Sequence, residues 1–262
     1  MTSPVLYAVE HGVAAITLNR PAEMNSLDTA TKVALRDHVL EAAADRDVRA
    51  VVLTGSGRAF CVGQDLREHA DALVRGDADL GATVHEHYNP IASTLATMDK
   101  PVVAAVNGIA AGAGAAFAFA CDLRIVASGA GFNLAFAGIG LSCDSGSSWT
   151  LPRLVGWARA RELLLLPRTV TAAEALELGL ATEVVPDGAL LDRAAELARQ
   201  LAAGPTAAYG AIRRALSYSA THDLDEALAH EAELMRLTGA TEDHRGAVSA
   251  FLAKERPTFH GR

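Results

Sequence analysis

Short apolar runs alternate with longer amphipathic segments along the first two hundred residues. Continuous apolar runs of this length are typical of buried strands, and they occupy residues 13–18, 48–53, 101–106, 123–127 and 181–185. Between the first two runs, apolar residues at helical spacing predict a helix that opens at Ser26 and extends to about Ala44. Strands that alternate with helices pair in parallel, so the pattern predicts an α/β core.

The pattern becomes purely helical after Gly204 and Pro205. Helical spacing covers residues 208–217, 224–237 and 244–253, and Thr241 is expected to cap the last of these helices. Upstream, Thr171 and Glu174 form the pattern of a capping box, and the polar segment 67–89 predicts mobile helix and loop. We therefore divide the chain into a core, residues 1–203, and a C-terminal helical assembly region, residues 204–262.

Composition narrows the class of protein. The chain has 262 residues, half of them hydrophobic, which suffices for one principal domain. A net charge of −8 without any Lys/Arg run argues against a nucleic-acid partner. Three widely spaced cysteines form neither a disulfide framework nor a zinc site. The Ala- and Gly-rich stretch 101–121 is long enough to span a bilayer but fits a buried strand, turn and helix better, so we expect a soluble cytoplasmic protein without a membrane partner.

Two glycine-containing loops follow buried strands, at residues 57–66 and 107–114. Glycine lets the backbone turn sharply, so that N–H groups can point into a cleft instead of a sheet. Neither loop carries the G-x-G-x-x-G or G-x-x-x-x-G-K-[ST] pattern of nucleotide-binding folds. Tight turns without a functional role are the simplest alternative explanation of both loops.

The residues around these loops carry a family resemblance. FCVGQDL, KPVVAAVNGIAAGAG and FACDLRIVA follow one another in order, and the flanking motifs are NRPAEMNSLD, LPRLVGWARA, TAAEALELGLATEVVP and FLAKERPTFHGR. Together they resemble the crotonase (enoyl-CoA hydratase/isomerase) superfamily over essentially the whole chain. The resemblance implies a spiral of ββα units, C-terminal helices that build homotrimers or hexamers, and an acyl-CoA substrate. Coenzyme A would arrive as part of that substrate, with no permanently bound cofactor.

The resemblance also implies an oxyanion hole for the thioester oxygen, made by the backbone N–H groups of Gln64 and Ala113. Two preorganised donors stabilise the enolate that forms when a proton leaves the carbon next to a thioester. The family usually has glycine at the position of Ala113. Further substrate or coenzyme A contacts are implied at Met24, Leu66, Arg67, Gly112, Phe136 and Lys254.

The acid–base residues depart from the hydratase pattern. The two positions that carry glutamate in typical hydratases are Ala116 and Phe136 here, so the usual pair is absent. Asp144 remains, at a position that resembles the isomerase branch, in which a single acid moves a proton between two carbons of an enolate. A pocket lined by Phe136, Trp149 and small aliphatic residues would raise its pKa. Alternatively, Asp144 caps the helix that follows it.

Several functions stay open at this point. The isomerase is favoured; the alternatives are a hydratase that lacks the usual glutamates, a non-catalytic acyl-CoA binder, and a hydrolase similar to aryl-CoA dehalogenases, with Asp144 as nucleophile and His85 or His87 activating water. His85 and His87 have no third metal ligand at a sensible spacing, so no metal is expected and an exposed loop is the simpler reading. Arg58 and Lys100 are possible local cations for a phosphorylated ligand, and Cys143 is expected to be a packing residue.

Overall fold

A large, mostly parallel sheet forms the centre of the protein, whose computed structural model describes residues 3–262. Its six strands are β1 (Val5–Glu10), β2 (Val13–Leu18), β3 (Ala50–Gly55), β5 (Val102–Val106), β7 (Leu123–Ala127) and β10 (Glu183–Val185). They lie in the order β1-β2-β3-β5-β7-β10, and only β1 pairs antiparallel. All residues of β3 and β5 are buried, as expected for strands covered on both faces.

A second sheet of three-residue strands runs beside the first. Its strands are β4 (Ala59–Cys61), β6 (Ile109–Ala111), β8 (Gly131–Asn133) and β9 (Thr169–Thr171), in that order. Each of β3, β5 and β7 is followed by one of these short strands, and β4 and β6 each lead into a helix. The chain therefore spirals through repeated ββα turns, as the resemblance implied.

Helices complete each turn and then continue alone to the C-terminus. They are α1 (Thr29–Ala44), α2 (Leu66–Arg75), α3 (Leu80–Thr83), α4 (Asn89–Thr97), α5 (Ala113–Ala120), α6 (Ser147–Leu165), α7 (Ala172–Glu177), α8 (Leu190–Ala202), α9 (Thr206–Ser219), α10 (Leu224–Gly239) and α11 (Glu242–Ala253). The division proposed from the sequence at residue 204 falls between α8 and α9. Over residues 3–262, no helix is long and apolar enough to cross a bilayer.

Two of the predicted helix starts need correction. Helix α1 is capped by Asp28, whose carboxylate accepts from the Thr31 N–H at 2.8 Å, and not by Ser26. The Ser26 hydroxyl donates instead to Asp65. At α7 only half of the predicted capping box forms, because the Glu174 carboxylate is bound by Arg168 while Thr171 caps as expected.

Other predictions were incomplete or partly wrong. Strands β3 and β10 begin two residues later than predicted, and both β1 and the short sheet were missed. The segment 67–89 is largely helical, and His85 and His87 lie in a π-helical turn, Val84–Tyr88, instead of a loop. Thr241 does cap α11, accepting from the His244 N–H at 3.1 Å.

A buried arginine, Arg213, anchors the C-terminal helices to the core, in addition to the hydrogen bonds of Arg49 with Gly204, Thr206 and Phe259. Arg213 of α9 donates to the backbone carbonyls of Leu95, Met98 and Lys100, and its Nε lies 3.1 Å from an Asp122 carboxylate oxygen. These carbonyls sit at the end of α4 and in the turn before β5, where no sheet or helix partner satisfies them. Arg213 therefore links α9, α4 and the large sheet.

We expect Arg213→Ala to destabilise the protein by about 3 kcal/mol, since it leaves three buried carbonyls and the partly exposed carboxylate of Asp122 without their cation. Arg214→Ala is the matched control. Its side chain is exposed and pairs with Asp99 at the surface, so its loss should cost less than about 1 kcal/mol. Chemical denaturation of the two variants measures both values, and equal stabilities would contradict the anchoring role.

Candidate active site

The two glycine loops meet side by side. A Cβ added at Gly63 would lie 3.0 Å from the Ala111 carbonyl oxygen and 3.4 Å from the Ala113 nitrogen. A Cβ at Gly114 would overlap with the Cys61 carbonyl oxygen. Gly114 therefore leaves no room for a Cβ, whereas at Gly63 the contacts are tight and the positive φ of 82° itself favours glycine.

The Gln64 N–H points away from Leu27, the residue with which Gln64 forms a parallel bridge. Leu27 uses both of its backbone groups on the residues flanking Gln64: its N–H donates to the Gly63 carbonyl at 2.8 Å, and its carbonyl accepts from the Asp65 N–H at 3.2 Å. In a parallel bridge the residue between two such bonds turns its own N–H to the opposite side. Within residues 3–262 the Gln64 N–H donates to no protein group.

The Ala113 N–H is the first of helix α5. The first N–H groups of a helix have no partner within the helix, and Gly112, at φ 52°, turns the chain into this helix. Among the described residues the Ala113 N–H also has no hydrogen-bond acceptor. Gln64 and Ala113 therefore contribute two free backbone donors to adjacent loops, close to the positive end of a helix dipole.

Asp65 fixes the first loop to the start of the chain. Its carboxylate accepts from Arg20 at 3.0 Å and Ser26 at 2.9 Å, and it caps α2 through the N–H groups of Arg67 and Glu68. Burial alone would raise the pKa of Asp65, but these hydrogen bonds lower it below its usual value. The side chain is thus a structural anion that holds the loop bearing Gln64 in place.

A cavity of about 480 Å³ opens in front of the two donors. Its walls are mainly apolar, from α2, α3, the π-helical turn and the segment before α6. The residues lining it are Val62, Gly63, Gln64, Leu66, His69, Leu80, Gly81, Val84, His85, Tyr88, Asn89, Gly112, Ala113, Ala135, Phe136, Ile139, Leu141, Ser142, Cys143 and Asp144. Among residues 3–262, Asp144 is the single carboxylate in this wall.

Asp144 does not cap the following helix. The N-cap of α6 is Gly146, and the Asp144 side chain instead accepts a hydrogen bond from the Ser145 hydroxyl at 2.7 Å. Burial raises the pKa of Asp144, and the Ser145 hydrogen bond partly offsets that rise. The carboxylate therefore faces the cavity in surroundings that favour its protonated form more than water does.

Tyr88 is a site residue that sequence reasoning missed. Its hydroxyl donates to the side-chain oxygen of Gln64, and its ring packs edge-on against Phe117. Burial, with a further contribution from Asp144, raises the pKa of Tyr88 so that the phenol stays protonated. A π-helical turn in an otherwise helical segment is a known mark of functional sites, but it leaves no pattern in the sequence.

The structure brings most of the predicted residues together. Gln64, Leu66, Gly112, Ala113, Phe136 and Asp144 all line the cavity, and so do His85 and Cys143. His87 does not line it.

Three predicted contacts lie outside this cavity. Arg67 and Lys254 are exposed and Met24 is half-buried, so within one chain they are not part of the cavity wall. The roles assigned to these three residues stay predictions. Met24 and Lys254 both have left-handed backbone conformations, at φ 53° and 58°.

Two expectations about nearby side chains were wrong. Trp149 does not line the cavity; it is partly exposed, with the Arg153 guanidinium 3.1 Å from its ring centre. Lys100 is not available to a ligand, because its ammonium is buried against the carbonyls of Ala42 and Asp45. In the part of the chain that the structure describes, no group of three His, Cys, Asp or Glu side chains is placed to hold a metal.

The described residues combine two free backbone donors, a ββα spiral and an apolar cavity with one acid. The chain matches the enoyl-CoA hydratase/isomerase family over residues 8–262 and belongs to that family. It is 43% identical over 258 residues to 1,2-epoxyphenylacetyl-CoA isomerase of Escherichia coli, covering 98% of each protein. It is 35% identical to 2,3-dehydroadipyl-CoA hydratase of the same organism, covering 99% of this chain and 100% of the relative.

Other similarities extend the range of chemistries within the family. A 4-chlorobenzoyl coenzyme A dehalogenase of Arthrobacter is 35% identical, covering 86% of this chain and 83% of the relative. The crystal structure of a candidate enoyl-CoA hydratase/isomerase from Mycobacterium abscessus superposes with a TM-score of 0.95 at 46% identity, over 98% of this chain and 100% of that one. The family and its fold are therefore established, while relatives differ in the reaction named.

We expect Gly114→Ala to weaken both folding and acyl-CoA binding, since the new methyl group must push the two loops apart. Overpacking of this kind costs roughly 1–3 kcal/mol. Gly246→Ala is a matched control, because Gly246 also lies in a helix but has open space around it, and alanine there should stabilise by up to about 1 kcal/mol. Thermal unfolding and titration with acetyl-CoA measure the two effects; unchanged binding by Gly114→Ala would contradict the close-contact argument.

Proposed function

We propose that the protein is an enoyl-CoA isomerase that shifts a double bond by proton transfer through Asp144. The observation that carries this proposal is that, within the described part of the chain, an apolar cavity holds a single carboxylate together with two free backbone donors. The positions at which a hydratase-type second carboxylate is expected hold Ala116 and Phe136, both buried and apolar. One acid suits a reaction that removes a proton and returns it elsewhere.

The proposed mechanism keeps one negative charge in the cavity throughout. The thioester oxygen accepts hydrogen bonds from the N–H groups of Gln64 and Ala113. Ionised Asp144 takes a proton from the carbon at one end of the allylic system, and the electron pair of that C–H bond passes to the thioester oxygen as an enolate. Asp144 then returns the proton to the other end while the electrons restore the carbonyl and the shifted double bond.

The raised pKa of Asp144 supports this mechanism. The C–H group next to a thioester is a weak acid, with a pKa far above that of an ordinary carboxylic acid. A base that holds its proton more firmly has a pKa closer to that of the C–H group, which reduces the free energy needed for proton transfer. Each preorganised donor to the enolate oxygen contributes about 3 kcal/mol to lowering the barrier. The surrounding apolar wall excludes water, which would otherwise compete for the enolate.

A second candidate function has one observation in its favour. His85 and Asp144 line the same cavity, which is the pairing that a dehalogenase-like hydrolysis through an aspartyl ester needs. For a hydratase, by contrast, no second carboxylate is among the described residues of the cavity wall. A non-catalytic acyl-CoA binder stays as the alternative if no turnover is found.

The substrate is an acyl-CoA, in which coenzyme A belongs to the substrate and not to the protein. A cavity of about 480 Å³ accepts an acyl group as large as a ring, and the isomerase relative from Escherichia coli acts on a phenylacetyl-CoA derivative by its name. We propose a ring-bearing acyl group on this basis. Arg67 is exposed at the start of α2, beside Leu66 of the cavity wall, where it can reach a coenzyme A phosphate.

Product mass after incubation with paired 2-enoyl-CoA and 3-enoyl-CoA compounds, linear and ring-bearing, tests the function. Interconversion at unchanged mass supports the isomerase. A gain of one water contradicts it in favour of a hydratase. Release of chloride from 4-chlorobenzoyl-CoA would instead establish the hydrolytic alternative. Binding of these compounds without any conversion would favour the non-catalytic acyl-CoA binder.

Asp144→Asn should lower turnover to a small residual rate and at the same time stabilise the fold. The folded state raises the pKa of Asp144, so it binds the Asp144 proton more tightly than the unfolded chain does. Stability is therefore lost as the pH rises from the unfolded pKa through the folded one, and the penalty persists at neutral pH. The asparagine side chain carries no charge, so the variant does not have this penalty. Thermal unfolding at pH 7 and at pH 4 checks this, because the gain should shrink at the lower pH; a destabilised variant contradicts it.

We propose that the C-terminal helices assemble the protein into trimers or hexamers. Large apolar side chains of these helices are exposed in the single chain: Ile212, Leu216, Leu224, Met235, Phe251 and Leu252. We propose that these side chains lie at the interface between chains, since contiguous apolar patches left exposed on one chain mark interaction sites.

Light scattering should give three or six times the 27.3 kDa of one chain. Phe251→Glu should reduce that mass, because a charge on an 80% exposed apolar residue cannot be buried in an interface. Glu255→Gln, a change at a neighbouring exposed polar residue, should not alter it. A monomeric wild-type protein contradicts the assembly.

A further inference from the structure

Ser145, the residue next to Asp144, combines three unusual features. Its hydroxyl donates to the Asp144 Oδ1 atom at 2.7 Å, its side chain is 1% exposed, and its backbone lies in the left-handed region at φ 52°. It is followed by Gly146 at φ 79°. Left-handed backbone suits glycine but costs other residues about 1 kcal/mol or more.

We propose that Ser145 is a positioning residue that fixes the Asp144 carboxylate, so that Oδ2 alone takes and returns the substrate proton. The proposal rests on the function proposed above. Oδ1 is occupied by the Ser145 hydroxyl, and within residues 3–262 no other side chain bonds to Asp144. The carboxylate therefore has one oxygen bound to the protein wall and one free for substrate.

The backbone around Ser145 explains how this geometry is held. The Ser147 N–H donates to the Asp144 carbonyl at 2.9 Å, and α6 begins directly after the turn. Two consecutive left-handed residues reverse the chain tightly, which places the Ser145 side chain back against its neighbour. Backbone strain that persists at an active site requires compensation, and the hydroxyl contact with Asp144 is the interaction that serine supplies and glycine lacks.

The hydrogen bond from Ser145 also affects the ionisation of the Asp144 carboxyl group. It stabilises the ionised carboxylate against burial, so it lowers the pKa of Asp144 from the value that burial alone would set. The other titratable groups facing this cavity are Cys143 on the same segment, His85 and Tyr88 from the π-helical turn, and His69 from α2. A substitution at Ser145 leaves these four groups in place. A difference between the pH profiles of the variant and of the wild-type enzyme therefore reports on Asp144.

Ser145→Ala and Ser145→Gly test the proposal together. Alanine keeps the Cβ, and hence the backbone cost, but lacks the hydroxyl; glycine lacks the hydroxyl and relieves the backbone. Both should lower kcat roughly ten-fold, as expected for a lost hydrogen bond to a charged group. Both should also move the acid limb of the kcat/KM profile to higher pH, because Asp144 must be ionised to accept the first proton.

Ser147→Ala is the matched control. Ser147 is a fully buried serine two residues away, and its hydroxyl has no hydrogen-bond partner among the described residues. Its replacement should leave kcat and the pH profile unchanged. If Ser145→Ala keeps the wild-type profile and rate, or shifts them no more than Ser147→Ala does, the positioning role is wrong.

The two proposals fail in distinguishable ways. Full turnover by Asp144→Asn overturns the proposed function and the positioning role together. Loss of turnover in Asp144→Asn, with wild-type behaviour in both Ser145 variants, overturns the positioning role alone. In the Asp144→Asn background, adding Ser145→Ala should change the residual rate by less than two-fold, since residues that act through one another are not additive; a further ten-fold loss there would assign Ser145 an independent role and also contradict the proposal.

Discussion

The close approach of two backbones determines what this site can be. Gly63 lies against the Ala111 carbonyl and the Ala113 nitrogen, and Gly114 lies against the Cys61 carbonyl, where a Cβ would overlap with the carbonyl oxygen. The parallel pairing of β4 with β6 holds the two loops at this distance. Because the donors are backbone groups, their positions depend on the packing of the loops and not on the side chains of Gln64 and Ala113.

The chemistry of the cavity depends on keeping its charge constant. Asp144 is the single carboxylate of the described wall, and Tyr88 is kept neutral by burial. In the proposed reaction the negative charge moves from Asp144 to the thioester oxygen and back, so the apolar cavity never holds two negative charges. In this proposal, a site whose described wall holds one acid and no Lys or Arg can form an enolate, whereas an uncompensated second charge would be costly.

The remainder of the fold supports these two features from a distance. Asp65 holds the Gln64 loop against the segment between β2 and α1 by accepting hydrogen bonds from Arg20 and Ser26. Arg213 ties the C-terminal helices to the turn before β5, the strand that leads into the second loop. Asp65 and Arg213 are both buried charged side chains, and each forms hydrogen bonds with backbone groups that have no partner within a helix or sheet. The apolar surface left on the C-terminal helices is consistent with further support from neighbouring chains.

The sequence by itself determined the fold class, five of the six strands of the large sheet, the C-terminal helices and six of the residues around the cavity. Continuous apolar runs and ordered motifs are local properties, so they are readable without coordinates. The tertiary structure alone decided the rest: the three-residue strands have too few residues for a periodic pattern, and Tyr88 reaches Gln64 through a π-helical turn. It also decided that Asp144 contacts Ser145 and the cavity instead of capping α6, and that Trp149 lies outside. Such choices depend on which groups meet in space and how deeply they are buried, which the order of residues does not specify.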